Sequence, residues 1–307
     1  MYLEDIVAVV NVPACATSWA TKEQLDRRAL PRFANELEDR MLTLYHGATA
    51  VCAAKVRVTL AEKEIPYDSR PINLHAGEQF APEYMKLNPN AVVPTIVHDG
   101  RVLIESTVIN EYLDDAFPQP PLRPSDPFGL ARVRLWTKRE DTIHDAINTM
   151  TASILFRAEL LQKPPEERKK RYEKIPDLAK RAKWAEIMEH GVTSHFVDEA
   201  LSRFAKLFRD MEKALADGPW LTGTQFTLAD IGLISFFYRL EMLECSGLWR
   251  EHFPRVSSWF ERCKARESFK VAILDHIPSP AFASYRTHAS PLRVDVEARF
   301  REALGRS

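Results

Sequence analysis

Val92-Val-Pro-Thr-Ile-Val-His-Asp-Gly-Arg-Val-Leu-Ile-Glu-Ser106 is the stretch that decides the fold. Thr95–His98 and Arg101–Ile104 are short runs of strand formers joined by Asp99-Gly100. A two-residue Asp-Gly connection requires positive φ at both positions and is a strong local signal for a β-hairpin. Ser106 follows the second strand and can cap a helix over Ser106–Phe117. The apolar face of that helix is Val108, Ile109, Tyr112 and Leu113.

Upstream, Leu42–Tyr45 is an apolar segment of strand length, and Ala53–Glu64 has helical spacing with Ala53, Val56 and Leu60 on one side. Tyr67–Leu74 is extended after Pro66, and Pro82–Leu87 is one or two helical turns with proline at the start. The order is βαβαββα. Its first βαβ unit is expected to be right-handed, and the hairpin adds an antiparallel edge. The expectation for residues 41–118 is a small α/β domain. Downstream, residues 119–127 (QPPLRPSDP) hold four prolines and read as a linker. Residues 128–275 are helical in pattern, with a long amphipathic helix over Leu130–Met150 and a charged solvated segment over Lys163–Lys183. Thr227-Leu-Ala-Asp230 is a capping box ahead of the apolar run Ile231–Tyr238. Residues 276–307 read as a tail with one short helix, Val294–Leu304. Residues 1–40 read as a poorly ordered extension.

The chain has 307 residues, with 42 Lys+Arg against 43 Asp+Glu and a net charge of −1. At ~100–200 residues per domain, two domains are expected. Balanced charge argues against a nucleic-acid partner held by bulk electrostatics. No apolar run approaches the ~20 residues that cross a bilayer, so no membrane span is expected. Glu4 and Asp5 stand where a secretory signal carries positive charge. Cys15, Cys52, Cys245 and Cys263 form no CxxC pair, and no Cys/His cluster has zinc spacing. Free thiols in the cytoplasm and no metal are the expectation. Neither GxGxxG nor GxxxxGK[ST] occurs.

Lys55-Val-Arg57, Leu87-Asn-Pro89, Val92-Val-Pro-Thr95, Glu105-Ser106 and the Thr227–Asp230 cap, in this order and spacing, resemble the glutathione transferase superfamily. The resemblance runs from Met41 to about Ala272. Leu122-Arg-Pro-Ser-Asp-Pro-Phe128 followed by Trp136-Thr-Lys138 is similar to a bacterial branch that includes lignin β-aryl-ether-cleaving enzymes. The family implies a thioredoxin-like N-terminal domain, an all-α C-terminal domain and a homodimer. It also implies glutathione as co-substrate, a small electrophile as partner molecule and a role in detoxification.

The resemblance assigns roles residue by residue. Val93-Pro94 corresponds to the family's cis-proline step, where Val93 would pair its backbone with the cysteinyl part of glutathione as an added strand would. Glu105 and Ser106 correspond to the γ-glutamyl subsite, with Ser106 at a helix N-terminus that favours a carboxylate. His75 and Gln79 fall where relatives hold the glycyl end. The thiol-activating position departs from the family, because relatives carry serine or cysteine where Ala50 stands. Thr49, Cys52, Tyr45 or no side chain at all remain open for that role, with Thr49 and Cys52 the leading candidates. The second substrate is expected between the domains, against His46–Thr49 and the stretch carrying Trp136, Arg139, Glu140, Ile143 and His144. Cys52, near a helix start, also suits a thiol-transfer or deglutathionylation cycle through a mixed disulfide. A non-catalytic glutathione-binding module is the remaining alternative.

Overall fold

Four strands form the sheet: β1 (Thr43–His46), β2 (Asp68–Pro71), β3 (Thr95–His98) and β4 (Arg101–Ile104). In the computed structural model, which describes residues 42–168 and 177–306, their order is β2-β1-β3-β4. The pair β1–β2 is parallel, with Thr43 beside Asp68, and β3 runs antiparallel to β1, with Leu44 opposite Ile96. The β3–β4 hairpin turns at Asp99 (φ 50°) and Gly100 (φ 70°), the two positive values its sequence demands. Helices α1 (Val51–Glu62), α2 (Pro82–Leu87) and α3 (Ser106–Ala116) complete the expected βαβαββα order.

Helix α1 is buried on nearly every side rather than along one stripe. Val56 and Leu60 join Leu44, Ile96, Ile109 and Leu113 in a small core under the sheet. Val51, Ala54 and Val58 face the other way, into the large core of the helical half. The alanines let α1 approach both layers. The polar residues Lys55 and Arg57, each 2% exposed, are carried inside with it.

Downstream lie α4 (Pro127–Thr137), α5 (Glu140–Thr151), α6 (Arg157–Leu161), α7 (Leu178–His190), α8 (His195–Ala214) and α9 (Leu228–Met242). They are followed by α10 (Gly247–Arg250), α11 (Pro254–Lys264), α12 (Glu267–Ala272), α13 (Ser279–Ala289) and α14 (Arg293–Arg306). The single helix expected over Leu130–Met150 is two, α4 and α5. They part at Lys138–Arg139, where neither proline nor glycine marks the break. The stretch expected as a tail instead packs home: Tyr285 and Ala289 of α13 and Val296, Phe300 and Ala303 of α14 are buried in the main core. Residues 119–127 are fastened rather than loose. Arg123 Nε donates to Asp114 Oδ2 at 2.8 Å, Lys63 Nζ donates to the Pro120 carbonyl at 2.7 Å, and Leu122 is buried. The expected poor order of residues 1–40 lies outside the described residues, as does part of the charged segment Lys163–Lys183.

The Thr227 capping box forms as its spacing requires, and Asp230 does more than cap. Its Oδ1 accepts from Leu221 N at 3.0 Å and Trp259 Nε1 at 2.8 Å, and its Oδ2 accepts from Thr227 N at 3.0 Å. Burial pushes the carboxyl up to about 6, against the pull of these donors. Asp230→Ala would leave three buried donors unmatched, at roughly 1–3 kcal/mol each. The expected result is destabilisation of about 3 kcal/mol or more in urea unfolding. A loss below about 1 kcal/mol would contradict this account.

Candidate active site

A cleft of about 830 Å³ opens between the sheet-bearing half and the helical half, within the size range of small-molecule sites. Thr49–Cys52, at the start of α1, line it. The sheet side contributes His75, Gln79 and Val93; the helical side contributes His144, Thr151, Trp184 and Arg239, with Tyr285 from α13.

Cys52 is the second residue of α1, and the N-cap residue Ala50 offers no side-chain cap. The first turn therefore presents backbone N–H groups and the positive end of the helix dipole to the cleft. Burial alone would push the Cys52 thiol up. Hydrogen bonding to His144, the Lys55 charge, the His144 charge and the Ser106 hydroxyl outweigh burial and hold the thiol below its ordinary pKa. For His144, burial works against the charged form, and the Cys52 sulfur overcomes it and raises the pKa. Asn148 Nδ2 donates to His144 Nε2 at 3.1 Å and fixes the ring, which also stacks on Phe236 at 6.2 Å.

Below the thiol, Lys55 Nζ donates to Glu140 Oε2 at 2.5 Å, with both side chains almost wholly buried. Burial opposes the Lys55 charge, and the Glu140 carboxylate outweighs it, so the lysine pKa lies above its usual value. Thr107 Oγ1 also donates to Glu140 Oε2, at 3.3 Å, and Lys55 lies 5.4 Å from the Phe236 ring centroid. The carboxylate fits only because position 232 of α9 is glycine: a Cβ there would stand 1.9 Å from Glu140 Oε1.

The loop before α1 is held by two buried guanidinium groups. Arg57 donates to the carbonyls of Ala272 (2.8 Å), Gly47 (3.2 Å) and Ala48 (3.1 Å), and Arg239 donates to the carbonyl of Thr49. Arg57 Nη1 also meets His46 Nδ1 at 3.2 Å. Burial, the Arg57 charge and His276 lower the His46 pKa to about 4, so this ring is neutral.

The sequence-predicted residues divide by position. Thr49, Cys52, His75, Gln79 and Val93 all line the cleft, and Val93–Pro94 is a cis peptide bond. Gln79 Oε1 is buried without a hydrogen-bond partner. Glu105 is exposed at the end of β4, with φ 70° and ψ 106°. That conformation is sparsely populated and costs ~1–3 kcal/mol, so the surroundings enforce it. Ser106 is not the helix cap. Glu105 holds that place without a side-chain bond, and Ser106 is the first helical residue, buried, its hydroxyl the smallest of the influences that lower the Cys52 pKa. Several expected wall residues lie elsewhere. His46 is buried under the sheet edge, and Tyr45 packs on Tyr84 at 5.8 Å. Trp136 and Ile143 belong to the core, Arg139 pairs with Asp210 at 2.9 Å, and Glu140 lies beneath α1. Of that set, His144 lines the cleft. Arg239 was missed by sequence reasoning; its signal was a cation just past the apolar run Ile231–Tyr238.

Residues 40–115 match the family model described as Glutathione S-transferase, N-terminal domain, and residues 194–262 match Glutathione S-transferase, C-terminal domain. Tetrachloro-P-hydroquinone reductive dehalogenase of Sphingobium chlorophenolicum is 30% identical over 238 residues, covering 75% of this chain and 95% of the relative. The chain belongs to the glutathione S-transferase family. A second relative, Protein LigF of Sphingobium sp. (strain NBRC 103272 / SYK-6), is 29% identical, covering 75% of this chain and 91% of the relative. The crystal structure of beta-etherase LigF superposes with a TM-score of 0.66 at 28% identity, over 76% of this chain and 99% of that one. Glutathione transferase F7 from Populus trichocarpa shares the fold, with a TM-score of 0.62 at 22% identity over 78% of this chain and 100% of its own. Among the described residues, no helix is long and apolar enough to cross a membrane.

The environment of Cys52 predicts a pH profile for its alkylation by iodoacetamide, read by peptide mapping. The thiolate reacts and the thiol does not, so the rate falls as pH drops through the pKa. The inflection should lie below that of an ordinary thiol, and His144→Asn should move it upward. Cys245 and Cys263, both buried with their thiols pushed up, should stay silent in the folded protein. An inflection unmoved by His144→Asn would refute the pairing.

Proposed function

We propose that this glutathione S-transferase holds glutathione along the sheet side of the cleft and adds its thiolate to an electrophilic carbon of an aromatic, halogenated or β-aryl-ether molecule. The observation that carries this reading is the uncapped N-terminus of α1 opening into the cleft beside His144 and the cis Val93–Pro94 step. Val93 would pair with the cysteinyl backbone. Glu105 and Ser106 would take the γ-glutamyl head, and Gln79 and His75 the glycyl end. The relatives support the substrate class: one is a reductive dehalogenase of a chlorinated hydroquinone, another a beta-etherase.

Ala50 leaves the usual hydroxyl out, and a hydrogen bond to a charged group is worth ~1.5–3 kcal/mol. That is about one to two pKa units on the bound thiol. The helix N-terminus returns roughly 0.3–1 kcal/mol, up to ~2 when partly buried. His144 lies at the same end of the cleft, and Thr49 adds a hydroxyl at the loop. Cys52 as a thiolate does not serve this role, since two adjacent thiolates repel. The further proposals are a division at 41–118 and 128–275, a homodimer, and a cytoplasmic setting.

The lowered Cys52 pKa favours a second reading. In it the Cys52 thiolate attacks a glutathione mixed disulfide and takes the glutathionyl group, and the substrate thiolate leaves. A second glutathione thiolate then displaces Cys52, giving oxidised glutathione. Cys52→Ala separates the readings: conjugation of 1-chloro-2,4-dinitrobenzene or cleavage of a β-aryl ether survives it, and thiol transfer does not. Glu105→Ala should weaken glutathione binding about 10- to 100-fold, the loss of one charged hydrogen bond. A wild-type protein that ignores millimolar glutathione would overturn both readings.

A further inference from the structure

Four cations among the described residues are buried: Lys55, Arg57, Lys63 and Arg239. Lys55 faces Glu140, and Lys63 faces Asp114 at 2.7 Å. Arg57 has no carboxylate but donates to three carbonyls and the His46 ring. Arg239 differs from all three in lining the cleft. It is 8% exposed and lines the cleft, and it forms no ion pair among the described residues. Its Nη1 donates to Thr151 Oγ1 at 3.3 Å and its Nη2 to the Thr49 carbonyl, while its Nε is buried with no partner. A guanidinium has five N–H donors, so most of its capacity is unspent.

A buried charge without a counter-charge is costly, and the protein here supplies none. The surroundings show what would. Arg239 stands on the helical side of the cleft, across from the Gln79 and Val93 side that the proposed function gives to glutathione. The Tyr285 ring lies 5.0 Å from its guanidinium carbon. Phe156 and Trp184, stacked at 6.1 Å with 17° between their planes, line the same wall. The carboxylate lining the cleft is Glu78, exposed and already accepting from Asn73 N at 2.7 Å. Flat aromatic walls with one unneutralised cation suit a ring that carries a negative oxygen.

We infer that Arg239 seats an ionised oxygen of the second substrate, which is an aryl phenolate or aryl carboxylate. This rests on the transferase reading for its biological meaning and on the geometry above for its chemistry. Planar guanidinium recognition of a carboxylate is bidentate and charge-assisted, and a single phenolate oxygen takes charge-assisted bonds from the same fork.

The test is calorimetric binding of 4-nitrophenolate, 4-nitrobenzoate and the neutral ether 4-nitroanisole to the full chain at mildly alkaline pH, with and without glutathione. At least one anion should bind about tenfold or more tighter than the ether. Preference for the phenolate alone, the carboxylate alone or both identifies the oxygen source, and each supports the inference. Arg239→Gln should bring anions and ether to parity, and Arg239→Lys should keep part of the preference. A merely structural role for Arg239 would not change that ratio. Should Arg239→Gln fail to fold, the wild-type series and Arg239→Lys still decide. Equal binding of ether and anions by the wild type, or an unchanged ratio in Arg239→Gln, overturns it. A protein that binds glutathione but shows no anion preference defeats this inference alone. One that ignores glutathione yet prefers the anions defeats the transferase reading instead.

Discussion

The buried pair of Lys55 and Glu140 is the contact on which the rest of the site depends. It joins α1, which carries the thiol end of the cleft, to α5, which carries His144, and it is roofed by α9 at Gly232. Removing one partner of such a pair typically costs 3–5 kcal/mol, because the survivor is left charged in a dry interior. That cost fixes the rotation of α1 about its axis. With Lys55 turned inward, Cys52 and the first-turn amides are turned toward the cleft. The same lysine charge favours an anion at the sulfur, so one interaction sets both the geometry and the electrostatics of the site.

Much of the sheet-bearing half was legible because its signals are local. Asp99-Gly100 forces a tight turn and Pro82 starts a helix, and in the helical half Thr227 with Asp230 closes a capping box; each acts within four residues. The errors came where burial is decided by distant partners. The stripe Ala53, Val56 and Leu60 looked one-sided because nothing in α1 reveals that a second layer, Val51, Ala54 and Val58, meets helices encoded far downstream. Ser106 looked like a cap because capping is what serine at a strand–helix junction usually does; here Glu105 takes the cap position and Ser106 is already helical. The break between α4 and α5 carries no proline or glycine and left no trace in the pattern.

The candidate site was legible in proportion to its dependence on backbone. Val93–Pro94, Gln79 and the N-terminus of α1 follow from loops and termini and were found in sequence. Arg239 and Glu140 act through side chains that converge from α9 and α5, and Gly232 by lacking one; Glu140 was expected on the cleft wall, and the other two were not singled out. The absence of a hydroxyl at Ala50 also looks different in three dimensions. The helix end there carries no side-chain cap, and it opens into the cleft beside the His144 ring.

Tyr285 reaches the cleft from α13, in the last tenth of the chain, whereas the surfaces assigned to the tripeptide all lie before residue 110. Under the proposed function, the gene writes the choosing of a partner molecule and the gripping of the common thiol donor into separate stretches. On that reading, change at the carboxyl end would retune which compounds are accepted while the donor grip is inherited intact.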